Sequence, residues 1–313
     1  MKISVLTATY NRANLLHKLY ESLVKNKNFG LDIEWLIMDD GSNDDTEQKV
    51  KEFIKQEQEK KQKQEENQEP EKGEKKIQIK YFKQENSGKM VAINKLAQIA
   101  SGELIIDCDS DDYFTENALK IVKEEFEKTK KNNLYAICFL KQDEKGNIDG
   151  NKFPNEISTM FDMYFKEKVT GEKVLVYYAD VRKKYKHEIE NHEKFITEAR
   201  MYHKMDKNYK IKCINLPIEV GEYRKDGYTS NISKTFTTSP HGYFKYFEEI
   251  LQNDFKGVTF DKRLYSIKHY ILFSVITKNK IRFNNIKSIL NRLLILLLFV
   301  PGKIKTKKMF LNG

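Results

Sequence analysis

An α/β fold, with a mostly parallel sheet flanked by helices and a helical C-terminal tail, follows from three features of this 313-residue chain. Strand and helix patterns alternate over the first hundred residues, which predicts parallel strands joined by crossover helices. Each strand pattern stops at a polar turn. One of them, Glu103-Leu104-Ile105-Ile106-Asp107-Cys108-Asp109-Ser110-Asp111-Asp112, runs straight into a cluster of carboxylates. Ligands bind at the carboxyl edge of such a sheet, and crowded acids there repel one another unless a cation is shared among them. Hard oxygen ligands suit Mg²⁺ or Mn²⁺, and those ions suit a phosphorylated substrate. The alternative use, Ser110 or Asp111 capping a helix that begins near Thr115, explains one side chain and leaves the other acids idle.

The elements follow in order. Residues 3–9 read as a strand, and residues 14–25 as an amphipathic helix with Leu15, Leu16, Leu19 and Leu23 on one face. Residues 33–38 form the second strand, and Asp39-Asp40-Gly41-Ser42-Asn43 is turn-rich and leads to a helix that starts near Thr46. Over 55–76 seven Lys balance seven Glu with no apolar residue, so this insertion cannot bury a core face. It reads as a helical extension that frays into a loop around Pro70 and Gly73. The third strand covers 77–82 and turns through Asn86-Ser87-Gly88-Lys89 into a helix carrying Val91, Ala92, Leu96 and Ala97. This is not a P-loop, because Lys83 stands in place of the first glycine and Met90 in place of the Ser or Thr. An amide-rich turn with Lys89 at a helix N-terminus still suits an anion; simple capping is the alternative. Beyond residue 130 the signals shorten, to 135–140, 173–178 and 209–214.

Composition removes several classes of function. Cys108, Cys138 and Cys213 have neither paired spacing nor an accompanying histidine pattern, which argues against a disulfide framework and a zinc site and suits a reducing cytosol. The first residues lack the apolar h-region of a signal peptide. The net charge of +10 resembles a nucleic-acid signal until it is located: from Lys262 onward there are twelve Lys or Arg and no Asp or Glu, so residues 1–261 net −2. Nucleic acid is therefore not expected as a partner. The tail also carries an unbroken apolar run of eight residues, 293–300, ending at Pro301-Gly302. That is too short for the roughly 20 residues of a spanning helix. It suits a peripheral helix on an anionic membrane surface, or else a buried helix with a basic outer face.

The motifs occur in a telling order. Thr7-Ala8-Thr9-Tyr10-Asn11-Arg12 follows the first strand and Asp39-Asp40-Gly41-Ser42 the second; Asn86-Ser87-Gly88-Lys89 with Ala92 and Asn94 comes next, and then Gly102-Glu103 leading to Asp109-Ser110-Asp111-Asp112. Together they resemble a family 2 glycosyltransferase of the bacterial surface-glycan type, with a GT-A, Rossmann-like fold. The resemblance is sharp to about residue 119, thinner to about 230, and lapses in the tail.

What the resemblance implies is a metal-dependent, inverting glycosyltransferase. It would use Mn²⁺ or Mg²⁺ and a nucleotide-diphosphate-sugar donor, usually a uridine one, with a glycan or lipid-linked acceptor of surface polysaccharide synthesis at the cytoplasmic membrane face. The donor would lie on Thr9, Tyr10, Asn11, Arg12, Asp40, Lys89, Asp109, Asp111 and Arg224. Tyr10 would pack on the base and Asp40 would bond its pyrimidine edge. Asp109, Asp111 and Asp112 would face the metal. The catalytic base would be Glu198, with Glu193 second, in Glu193-Lys194-Phe195-Ile196-Thr197-Glu198, where many relatives carry Glu-Asp in place of Thr197-Glu198. Arg224 would neutralise the leaving diphosphate. By this reading 1–130 is the nucleotide-sugar half, 131–240 the acceptor-side half, and 241–313 the basic tail. The rivals are a sugar nucleotidyltransferase, although Ala8-Thr9-Tyr10-Asn11-Arg12 lacks the glycine-rich loop for a triphosphate, and a non-catalytic membrane-bound scaffold of the same fold.

Overall fold

The computed structural model describes residues 1–66, 77–130, 132–221 and 232–311. Its elements begin with β1 (Lys2–Thr9), α1 (Leu16–Asn26), β2 (Asp32–Asp39), α2 (Thr46–Glu66), β3 (Ile77–Lys83), α3 (Lys89–Ile99) and β4 (Leu104–Asp107). Next come β5 (Tyr113–Phe114), α4 (Ala118–Lys128), β6 (Leu134–Gln142), β7 (Ile157–Ser158), α5 (Met160–Phe165), β8 (Lys173–Tyr178), α6 (Ala179–Arg182), α7 (Ala199–Met205) and β9 (Lys210–Val220). The chain closes with α8 (Ile232–Thr238), α9 (Pro240–Ile250), α10 (Phe260–Thr277) and α11 (Ile289–Leu311).

Two compact units divide these elements. The first comprises Met1–Ser158, Val169–Lys186 and Asn208–Tyr223; the second comprises Thr159–Lys168, His187–Lys207 and Arg224–Gly313. The sheet of the first unit continues past residue 130, because β6, β8 and β9 extend the sheet that β1 to β4 begin.

In the first unit the sheet order is β3-β2-β1-β4-β8-β6-β9-β5, with β7 beside β9. Strands β1 to β4 pair in parallel, as expected. Strand β8 then runs antiparallel to both β4 and β6, while β6 and β9 are parallel. Antiparallel neighbours need no crossover helix, which is why the strand–helix alternation fades beyond residue 130. Ile3, Val5, Leu6, Ile33, Leu36 and Ile37 are buried, as parallel strands covered on both faces require. Trp35 donates from Nε1 to Thr7 Oγ1 (3.0 Å), and Tyr20 of α1 stacks on Phe53 of α2 with 4.4 Å between ring centres.

A charge is buried in the same strand. Glu34 accepts from Ser4 Oγ (2.7 Å), Ser101 N (2.9 Å) and Lys80 Nζ (3.0 Å). Burial opposes its ionisation, but these bonds outweigh burial and hold the carboxyl down at about 2.

Helix α2 carries the charged stretch as far as Glu66, supported by exposed pairs such as Lys51 with Glu47 (2.6 Å). The loop expected around Pro70 and Gly73 lies outside the described residues. Helix α4 begins at Ala118 behind Asn117, so neither Ser110 nor Asp111 caps it.

The second unit is helical, around an aromatic core that includes Phe161, Tyr243, Phe247, Phe255, Tyr270 and Phe273. His203 is buried among the rings of Phe161, Phe165 and Tyr246; burial, and then Lys207, push its pKa down to about 4. The last helix, expected to stop at Pro301-Gly302, runs through them to Leu311. Proline lacks one backbone N–H, so the turn forgoes a bond to the Leu297 carbonyl while the helix continues on either side.

Candidate active site

Strands β1, β2 and β3 follow one another toward one edge of the sheet, whereas β4 lies on the other side of β1. The strand order therefore reverses between β1 and β4, and the carboxyl ends of parallel strands at such a point form a ligand crevice. The sequence places Tyr10, Asn11 and Arg12 after β1, Asp40 after β2, Lys89 at the start of α3 and the acid cluster after β4. All of them stand at this one edge.

Side chains lace the first two loops together. The Asn11 amide donates to Ser42 Oγ (2.8 Å), and the Asn43 amide donates back to Asn11 Oδ1 (2.9 Å). Asn11 adopts the left-handed region (φ 51°), which asparagine tolerates. The Arg12 amide donates to Thr46 Oγ1 (3.3 Å). Tyr10, which precedes Asn11 in the same loop, is 46% exposed. Thr9 is buried, and its Oγ1 has no hydrogen-bond partner among the described residues.

Asp39 and Asp40 close the second loop. Asp39 accepts from the Ser42 amide (2.7 Å) and from the Tyr81 hydroxyl (2.6 Å); burial and this bond push the Tyr81 pKa upward. Asp40 accepts from Gln84 Nε2 (2.7 Å), the Ser87 amide (2.8 Å) and the Gly88 amide (2.8 Å). Asp40 thus ties the second loop to the loop before α3, and it keeps about one of a carboxylate's four acceptor positions for a further donor. Gly41 (φ 85°) and Gly88 (φ 98°) take conformations that other side chains rarely adopt, which brings the two loops close enough for these bonds.

The carboxylates after β4 converge. Asp109, Asp111 and Asp112 each offer an oxygen within 4.8 Å of the others. Lys89 Nζ pairs with Asp109 (2.6 Å), which joins the anion-site lysine to the acid cluster. Burial, and then the Asp109 charge, raise the Asp111 pKa against the pull of Arg12 and Lys89, so the cluster carries acid in excess. Asp112 spends Oδ2 on Lys141 Nζ (2.6 Å), which also meets Glu172 (3.0 Å) and Glu219 (3.5 Å). Burial works against the Lys141 ammonium, but Glu219, Asp112 and Glu172 outweigh it and keep the lysine charged. Burial raises the pKa of both Asp112 and Glu219. A hard divalent cation fits these carboxylates by donor type and by charge, with Asp109 and Asp111 the freer ligands.

Lys141, Glu172 and Glu219 were not among the residues the sequence singled out. Lys141 follows the apolar run Ile137-Cys138-Phe139-Leu140 in β6, and a lysine closing a buried strand is the signal that would have found it.

The two candidate bases lie in the second unit. Glu198 precedes α7, is half-buried and accepts from the Tyr202 hydroxyl (2.9 Å). Glu193 is buried and accepts from the His241 amide (2.8 Å) and the Gly242 amide (2.7 Å), so it closes the first turn of α9. Glu193 Oε1 also lies 2.9 Å from His241 Nδ1. Arg224 lies outside the described residues.

The chain belongs to Glycosyl transferase family 2, whose pattern residues 4–189 match. An uncharacterized glycosyltransferase of Mycoplasma genitalium is 33% identical over 146 residues, 45% of this chain and 43% of that protein. The chain thus spans less than half the length of the curated relatives it matches. Among solved structures, Staphylococcus aureus TarS 1–349 in complex with UDP-GlcNAc aligns over 100% of this chain and 92% of that one, at TM-score 0.59 and 15% identity. A mannosyltransferase of Pyrobaculum calidifontis in complex with GDP-Man and Mn²⁺ aligns over 97% and 83%, at TM-score 0.52 and 14% identity. These likenesses show the GT-A fold.

Proposed function

We propose that this family 2 enzyme is an inverting, metal-dependent glycosyltransferase. It moves a sugar from a nucleotide-diphosphate donor, a UDP-sugar, to a glycan or lipid-linked acceptor of surface polysaccharide synthesis. It works at the cytoplasmic face of the membrane, held there by its basic tail. The observation that carries the reading is the convergence of Asp109, Asp111 and Asp112 at the carboxyl end of β4. The donors named for the two aligned structures, UDP-GlcNAc and GDP-Man, support a nucleotide sugar, and the Mn²⁺ of the second supports a divalent ion.

In this mechanism Tyr10 offers its ring to the base, Asp40 its remaining acceptor position to the base edge, and Thr9, Asn11 and Arg12 line the same loop. Asp109 and Asp111, with Asp112 behind them, would hold Mn²⁺ or Mg²⁺, which supplies Lewis-acid stabilisation of charge on the leaving diphosphate. Lys89 and Arg224 add positive charge toward that diphosphate. Glu198 takes the proton of the acceptor hydroxyl as its oxygen attacks the anomeric carbon from the face opposite the leaving group.

The test is release of UDP from UDP-sugars with Mn²⁺. Release is expected from the native chain and should fall at least about tenfold in Asp111→Asn. Pyrophosphate made from a nucleoside triphosphate and a sugar 1-phosphate would instead identify a nucleotidyltransferase, and native-level release by Asp111→Asn would refute the site.

A further inference from the structure

Helix α11 presents apolar residues on two opposite sides. One side is committed to the second unit: Asn291 and Ile295 are fully buried, and Leu294, Leu298 and Phe299 pack partly against the aromatic core. Arg263 of α10 pins the start of the helix, donating to Ser288 Oγ (3.2 Å) and to Asn291 Oδ1. With that side satisfied, Ile289, Leu290, Leu293, Leu296, Leu297 and Val300 remain 49% to 72% exposed. At roughly 100° per residue these six positions share about 120° of the helix circumference, opposite the buried ones. Single exposed apolar residues are ordinary on a protein surface; a continuous stripe of large ones marks an interaction site.

The charge around the stripe has one sign. Lys280, Arg282 and Lys287 precede it, Lys303, Lys305, Lys307 and Lys308 follow in the same helix, and no Asp or Glu occurs after Asp261. We propose that this stripe docks α11 lengthwise on an anionic bilayer. The six apolar side chains would enter the boundary between head groups and acyl chains while the lysines meet lipid phosphates. This deepens the membrane-attachment reading above and rests on it.

Charge selects the occupant. A second copy would set another basic tail of twelve positive charges against the first, and like charges repel, whereas acidic head groups compensate them. No helix of the described residues is long and apolar enough to cross a membrane. An in-plane helix requires only an apolar stripe with basic flanks.

The experiment is sedimentation of the full chain with phosphatidylcholine vesicles, with and without phosphatidylglycerol, alongside the double variant Leu293→Glu/Leu297→Glu. Circular dichroism checks that the variant keeps its helices. The native chain should bind the anionic vesicles and not the neutral ones, and the variant should bind at least ~10-fold more weakly. Equal binding by the variant, equal binding to neutral vesicles, or a lipid-free dimer that the variant dissociates would each overturn the proposal. Vesicle binding is read without donor or acceptor, so its failure is separable from failure of the transferase reading.

Discussion

Lys141 sits where three carboxylates meet, and replacing it separates packing from charge. Lys141→Met removes the ammonium that Asp112 and Glu219 share in a buried setting, leaving charge uncompensated. Stripping one partner from such a cluster costs about 3–5 kcal/mol, so urea unfolding should show a loss of that size. The two glutamates before and at the start of α7 make a sharper pair. Glu198→Gln should lower kcat by at least about tenfold with donor affinity nearly unchanged, since general-base catalysis contributes roughly 10²–10⁴-fold. Glu193→Gln should instead cost about 1–2 kcal/mol of stability, the worth of a helix cap, and leave kcat close to native. Steady-state kinetics and thermal unfolding on both variants would show whether the roles are assigned to the right residues. Sequence alone left these two acids equivalent in kind, because a cap on α9 is made by chain distant from Glu193, through His241 and Gly242. Asp40 was ambiguous for the same reason: its partners Gln84, Ser87 and Gly88 come from another loop.

Among the elements, β2 holds the clearest pH-dependent term. The folded pKa of Glu34, about 2, lies below its ordinary 4.5. A depressed carboxylate contributes stability that is fully present above the unfolded value and is lost as pH falls through the folded one. Between roughly pH 4.5 and 2 the fold should therefore lose on the order of 3 kcal/mol through this residue. Glu34→Gln should be less stable at neutral pH and flatter across that window, as denaturant midpoints measured against pH would reveal; a parallel loss in native and variant would contradict the assignment. Strands β1, β2, β3 and β8 and helices α1 and α3 were legible within a few residues, because apolar period and turn residues mark them locally. The start of α4 was not, since Asn117 stands there without a side-chain cap bond. The end of α11 was missed because proline, a strong local stop, is overridden by a helix that continues on both sides of it.

For the whole molecule, charge and topology were legible to different degrees. The confinement of positive charge to the tail needed only counting, and it directs attention to α11. The mixed half of the sheet was hidden because β8 pairs with β4 across a long stretch of chain and no local pattern records that pairing. The division into two units was hidden as well, since segments of the second are inserted between strands of the first. The gathering of the motif loops at one sheet edge was legible because the motifs follow successive parallel strands. The central claim is that Asp109 and Asp111 hold a divalent ion and, through it, a sugar nucleotide's diphosphate. The measurement that tests it most directly is thermal unfolding with UDP-sugars, with and without Mn²⁺, on the native chain and on Asp109→Asn/Asp111→Asn. Ligand binding to the folded state raises the midpoint by mass action, so the native chain should be stabilised only when nucleotide and ion are both present, and the variant not at all. An equal shift in the variant, or no shift of the native chain with any nucleotide sugar, would contradict the account.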